Sequence, residues 1–177
     1  MANKVLITGG AQRIGKALVN HFHVNGWNII FQYRSSKIEA ESIKDTLNSV
    51  RSGSCEIIQC DFDDSDSCKV FYEELVDKLN GLTALINNAS TFYPKKLSET
   101  SHDDWVKLTS SNLYLPIFLS KFCSNELIKN KGHIVNITDI HAEQGLKNYT
   151  VYTAAKAGLM NFTCLLYTSP SPRDLST

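Results

Sequence analysis

The feature that most narrows the fold of this chain is Val5-Leu-Ile-Thr-Gly-Gly-Ala-Gln-Arg-Ile-Gly15. An apolar run stops at a glycine turn and passes at once into a segment with Ile14, Leu18 and Phe22 at helical spacing. Gly9 permits the tight turn and Gly15 permits close backbone approach. The N–H groups at the start of the helix, with the positive end of its dipole, then form a seat for an anion such as a dinucleotide pyrophosphate. An ordinary strand-to-helix turn could also carry glycines. The placement after a strand, before a helix and near residue 1 favours the dinucleotide seat.

The rest of the chain repeats the alternation. Apolar runs near residues 4–8, 27–33, 55–60, 83–88 and 132–138 read as strands. Between them Ile43, Leu47 and Val50, then Phe71, Leu75 and Leu79, mark helices, and a longer helix from Trp105 to Lys129 holds Asn112 and Pro116. This order predicts an α/β chain with a Rossmann-type doubly wound parallel sheet, in one domain over residues 1–166. A last helix opens near Tyr149 and carries Tyr152, Ala155, Leu159 and Phe162, until Ser169-Pro-Ser-Pro-Arg173 stops it. Residues 167–177 are expected to form an exposed, irregular tail, and the stretch from Cys164 onward reads as fused adapter sequence, not native chain.

Composition excludes several classes. With 177 residues, 42% hydrophobic content and zero formal net charge, the chain makes no electrostatic case for nucleic acid or an anionic membrane. No apolar run approaches the roughly 20 residues of a membrane span, and the N-terminus passes directly into a strand, so a cytoplasmic location is expected. The five cysteines are odd in number and lack the paired spacing of a zinc site, which predicts reduced thiols in or near the core. His21 and His23 point to different sides of a helix, and no metal is expected.

The chemistry is concentrated in Tyr152-Thr-Ala-Ala-Lys156 and in Asp139, thirteen residues before the tyrosine. Four residues apart on a helix, the phenol and the ammonium share a face. A neighbouring cation is expected to draw the phenol down from its usual value near ~10 toward working pH, as a general acid or base requires. Tyr149 is set aside, because Thr153 and not a lysine lies four residues after it. At the end of the second predicted strand, Gln32-Tyr33-Arg34-Ser35-Ser36 offers a cation and no acid. That favours the 2′-phosphate of NADPH over the bare ribose of NADH, with a solvated arginine as the alternative.

These residues resemble the short-chain dehydrogenases/reductases over residues 3–163. Asp61, Asn87-Asn88-Ala89 and Asn112 also fit that family. Within it the chain is similar to the pteridine reductases and bacterial dihydromonapterin reductases, since Arg13, Ser90 and Asp139 stand where most members carry glycine, glycine and serine. The phrase Asn148-Tyr-Thr-Val-Tyr-Thr-Ala-Ala-Lys156 is similar to that branch as well.

The resemblance implies a role for each position. Tyr152 would donate or relay a proton, and Lys156 would hold the nicotinamide ribose and tune the phenol. Asp139 would orient a water beside Tyr152 and bond the substrate; a loop-end cap is its other reading. Asn112 would interrupt the long helix and position a water near Lys156, unless Pro116 alone explains a kink. Phe92, with Ser90, would stack a flat heteroaromatic ring, or else Phe92 is a core aromatic. Arg13 would reach both the cofactor phosphate and a pterin carbonyl. Asp61 would contact the adenine amino group or cap a helix. Gly9, Ile14, Gly15, Arg34, Ser35, Asn88, Ala89, Ser90 and Lys156 complete the implied NADPH contacts.

The implied activity is NADPH-dependent reduction of dihydropterins or dihydrofolate. The alternatives are a reductase of ketone or acyl-carrier substrates, against which Asp139 speaks, and a non-catalytic nucleotide-binding fragment. Family members are longer, so C-terminal strands are expected to be missing here. The parent protein is expected to be a homo-oligomer through the helices that hold Trp105 and Tyr152.

Overall fold

Runs such as Val5-Leu-Ile, Ile29-Ile-Phe and Ala84-Leu-Ile have no alternation of polar and apolar residues, and a strand with that pattern must be covered on both faces. The computed structural model describes residues 2–168 and places these runs at the centre of a five-stranded sheet. The strands are β1 (Lys4–Ile7), β2 (Asn28–Tyr33), β3 (Cys55–Gln59), β4 (Leu82–Asn87) and β5 (His133–Asn136). Their order is β3-β2-β1-β4-β5. β1 pairs in parallel with β2 and β4, and β2 with β3. The order reverses direction at β1, so the chain after β1 leaves the sheet at the switch point where doubly wound folds bind ligands.

The helices are α1 (Arg13–Val24), α2 (Lys37–Val50), α3 (Ser65–Val76), α4 (His102–Thr109), α5 (Leu115–Lys129) and α6 (Thr150–Thr168), with 3-10 turns at Leu97–Glu99 and Ile140–Ala142. The residues group into two compact units, 1–89 with 122–135, and 90–121 with 136 onward. The first carries the sheet, α1 to α3 and the end of α5. The second carries α4, the start of α5 and α6.

Three expectations about the helices need correction. α1 does not bury Ile14, Leu18 and Phe22. It buries Gly15, Val19 and His23, and Ile14 is 60% exposed. At its start the helix packs Gly15 against the Gly9 carbonyl of the turn, an approach that no side chain would allow, and this places the stripe Gly15, Val19 and His23 inward. α2 buries Ala40, Ile43 and Leu47 while Val50 is exposed. The long helix from Trp105 is broken by a π-helical turn at Ser110–Tyr114, where the Leu115 N–H reaches back to Ser110. Pro116 has no N–H for the carbonyl of Asn112, four residues earlier, so the α-helical ladder cannot run through this point.

α6 extends through Thr168, so its last turn includes Cys164 to Thr168. The remaining residues of the expected irregular tail, 169–177, lie outside the described residues. Among the described residues, no helix is long and apolar enough to cross a membrane, and no group of histidine, cysteine, aspartate or glutamate is arranged to hold a metal ion.

Candidate active site

The first unit holds the glycine turn. Gly9 adopts φ +67°, the left-handed region that a side chain disfavours. A Cβ on Gly15 would lie 1.9 Å from the Gly9 carbonyl oxygen, so helix and turn approach to a distance that only glycine permits. The turn is fastened from two directions. The Thr8 hydroxyl accepts the N–H groups of Asn88 (3.0 Å) and Ala89 (2.9 Å), and the Asn88 amide donates to the carbonyls of Thr8 (2.9 Å) and Gly9 (3.2 Å). From β2, the buried Gln32 accepts the Gly9 N–H at 2.9 Å.

The start of α1 suits an anion. Its N-cap, Gln12, makes no side-chain capping bond, and the first turn holds no acid. Open N–H groups, a glycine cradle and the helix dipole together fit a dinucleotide pyrophosphate. Arg13 sits at φ +47°, an unusual state for a residue with a side chain. Arg34 leaves β2 with its side chain 56% exposed and 3.7 Å from the carboxylate of Asp63. The sequence around Arg34 shows no acid, but the fold supplies one from the loop after β3. Asp61, in that loop, accepts the Asp63 N–H at 3.2 Å, and its own N–H donates to Ser67. The cap of α3 is Asp64, whose side chain accepts the Asp66 N–H. Ser35 stands beside Arg34 just ahead of α2.

The second unit holds the proton chemistry. Tyr152 and Lys156, one turn apart on α6, are 4% and 3% exposed. The Tyr152 hydroxyl donates to Asp139 Oδ2 at 2.6 Å. Asp139 Oδ1 accepts the His141 N–H at 2.9 Å, so the residue caps the 3-10 turn and holds the phenol at once. The Tyr152 bond, followed by the His141 N–H, keeps the Asp139 carboxyl below its ordinary value.

The expectation that Lys156 lowers the phenol is corrected by the geometry. The Lys156 ammonium donates to the Ile137 carbonyl at 2.8 Å and lies 5.9 Å from the Tyr152 ring centre. Burial first, and the Asp139 carboxylate second, push the phenol up from its ordinary value, with a weak opposing effect from the Ser90 hydroxyl. Tyr152 is therefore held as a protonated acid. Burial draws Lys156 down to about 8, and Asp139 works against that shift.

Asn112 is fully buried in the π turn. It donates to the carbonyls of Thr91 (2.7 Å) and Leu108 (2.9 Å) and accepts the Ser90 hydroxyl at 2.7 Å. Its bonds thus run to the Ser90-Thr91 segment, which Ser111 also holds through the Thr91 N–H at 3.0 Å. Phe92 follows that segment and is 54% exposed. It stacks on Tyr149 with centroids 4.5 Å apart and meets Tyr152 edge-on at 4.7 Å.

Tyr149, dismissed on spacing, belongs to this cluster. Its backbone lies in a bridge with Lys95, and the Lys95 N–H donates to Asn148 at 2.6 Å. Thr8, Gln32 and Tyr149 are the residues that sequence reasoning missed. Only Thr8 had a local signal, a hydroxyl directly before the glycine pair.

Several known proteins are similar to this chain along most of its length. An "uncharacterized oxidoreductase" of Thermotoga maritima is 29% identical over 94% of this chain and 64% of its own length. A dihydromonapterin reductase of Shigella boydii is 30% identical over 90% of this chain and 65% of its own length. The 3-oxoacyl-(acyl-carrier-protein) reductase FabG of Chlamydia pneumoniae is 28% identical over 99% of this chain and 70% of its own length. The chain thus spans less than two thirds of the length of the first two. Residues 3–173 match the short chain dehydrogenase family, and the chain belongs to that family.

Proposed function

We propose that the whole protein is an NADPH-dependent pteridine reductase that takes dihydropterin or dihydrofolate to the tetrahydro form. The observation that carries this reading is the 2.6 Å bond from the Tyr152 hydroxyl to the Asp139 carboxylate. A carboxylate beside the acid can accept N–H groups of a pterin with full charge, which a serine hydroxyl in its place could not do.

When bound, the cofactor supplies the hydride. Gly9, Gly15 and the start of α1 would hold its pyrophosphate, Arg34 and Ser35 the 2′-phosphate, and Lys156 the nicotinamide ribose. The chain's own part is proton delivery. The buried Tyr152 keeps its proton at Oη until a more basic atom arrives, and the partner carboxylate fixes the direction of the O–H. The charge of Lys156, carried by most molecules at pH 7, offsets the negative charge that a departing proton would leave in this buried cluster. Phe92 offers the stacking face. The exposed Trp105, Val106, Tyr114 and Phe118 offer a surface for self-association.

Tyr152→Phe tests the reading. With NADPH and dihydropterin, turnover is expected to fall at least 10²-fold while the NADPH Kd stays within about twofold. Near-normal reduction by that variant would sink the mechanism.

A second reading, reduction of a 3-oxoacyl thioester, is favoured by the FabG likeness along 99% of the chain. The ratio of kcat/KM for dihydropterin to that for a 3-oxoacyl thioester separates the two. A ratio below one rejects pteridine reduction, and binding of NADPH without turnover of either substrate leaves the nucleotide-binding fragment.

A further inference from the structure

Gln32 is the one amide in the strand Asn28–Tyr33 whose placement the sheet itself does not explain. It is 2% exposed in a strand otherwise buried through Ile29, Ile30, Phe31 and Tyr33. A buried amide is costly unless its bonds are made, and here the side chain makes two, one to the turn after β1 and one to the end of β3. Gln32 Oε1 accepts the Gly9 N–H at 2.9 Å, and its Nε2 donates to the Cys60 carbonyl at 2.7 Å. Its backbone carbonyl accepts the Gly10 N–H at 2.8 Å.

Gly9 needs this help. At φ +67° its backbone is in a region that a mobile loop would leave readily, and its carbonyl packs against the Gly15 position at 1.9 Å from where a Cβ would stand. Any drift of Gly9 therefore shifts the start of α1. Gly10 is confined in turn, because a Cβ there would meet the Phe31 side chain at 2.5 Å. β2 thus cradles the turn with Phe31 against Gly10 and the Gln32 side chain on Gly9.

We infer that Gln32 is a positioning residue for the dinucleotide: it holds the Gly9 N–H and so fixes the turn that receives the pyrophosphate, without touching the ligand itself. The inference rests on reading the turn as a dinucleotide seat. It predicts that cofactor affinity, and not the proton chemistry, depends on a side chain at the end of β2.

The test is Gln32→Met, close in size but unable to make either side-chain bond. Calorimetry with NADPH is expected to give a Kd about tenfold weaker than wild type. In turnover, KM for NADPH is expected to rise by a similar factor, with kcat at saturating NADPH unchanged. Should Gln32→Met fail to fold, Gln32→Asn, still an amide but one methylene too short to span both partners, is read the same way. A folded variant with wild-type NADPH affinity overturns the inference alone. So does a fall in kcat with an unchanged KM for NADPH. Absence of NADPH binding by the wild-type protein overturns the dinucleotide seat and the inference together.

Discussion

Lys156 is held at a cost. Its ammonium is buried, and burial draws its value down to about 8 from 10.5. The sign follows directly. Above pH 10.5 neither folded nor unfolded chain carries this charge; as pH falls toward 8 the unfolded chain takes up the proton first, so the folded state loses stability, and below 8 the loss is constant. Lys156→Met is therefore expected to stabilise the protein by about 1–2 kcal/mol at pH 7, once the lost bond to Ile137 is allowed for, and the gain should shrink as pH rises from 8 toward 10.5. Urea midpoints across that range check it; a destabilised variant at pH 7 would show that Lys156 is structural. Arg13 shows the same trade. Arg13→Gly should relieve its φ of +47°, adding up to roughly 1 kcal/mol of stability while weakening ligand binding. Both residues were legible in the sequence by type and spacing. What was not legible was the charge balance: the pattern Tyr-x-x-x-Lys suggests a lowered phenol, whereas burial first and Asp139 second raise it, and the lysine ammonium is turned to the Ile137 carbonyl.

At the scale of elements, function sits where regular structure fails. The π turn at Ser110–Tyr114 exists because Pro116 cannot serve the Asn112 carbonyl, and Asn112 uses the break to bind Ser90, Thr91 and Leu108. Asn112→Ala removes three bonds from a buried site and is expected to cost about 2–3 kcal/mol. It should also raise KM for substrate more than it lowers kcat, since the segment leading to Phe92 loses its anchor while Tyr152 keeps Asp139. A kcat loss with unchanged KM would count against that role. Strand positions were legible to within one or two residues because buried parallel strands are continuous apolar runs. The buried face of α1 was not, since hydrophobicity points to Ile14, whereas the close approach of Gly15 to the Gly9 carbonyl sets which stripe faces inward.

Across the whole molecule, the alternation of strand and helix was enough to give a doubly wound parallel sheet with the glycine turn at its switch point, because right-handed crossovers leave few arrangements; the order β3-β2-β1-β4-β5 itself came from the structure. The two compact units were not visible in the sequence, as no linker composition marks residues 89–90, 121–122 or 135–136. The cysteines can report on one of those units. Cys55, Cys60 and Cys123 are buried in the first unit, and burial pushes each thiol up to about 12. At pH 8 such thiols are almost wholly protonated as well as shielded, so they cannot attack a disulfide reagent from the folded state. Cys164 is exposed on α6, and Cys68 is half-buried. An aromatic disulfide reagent should therefore label Cys164 promptly and Cys68 slowly, leaving Cys55, Cys60 and Cys123 to react only through opening. Because Cys55 opens β3, Cys60 directly follows it and Cys123 lies on α5, simultaneous labelling of the three at rising urea is expected if the first unit opens as one cooperative body. Labelling of Cys123 at lower urea than Cys55 would show instead that α5 detaches before the sheet.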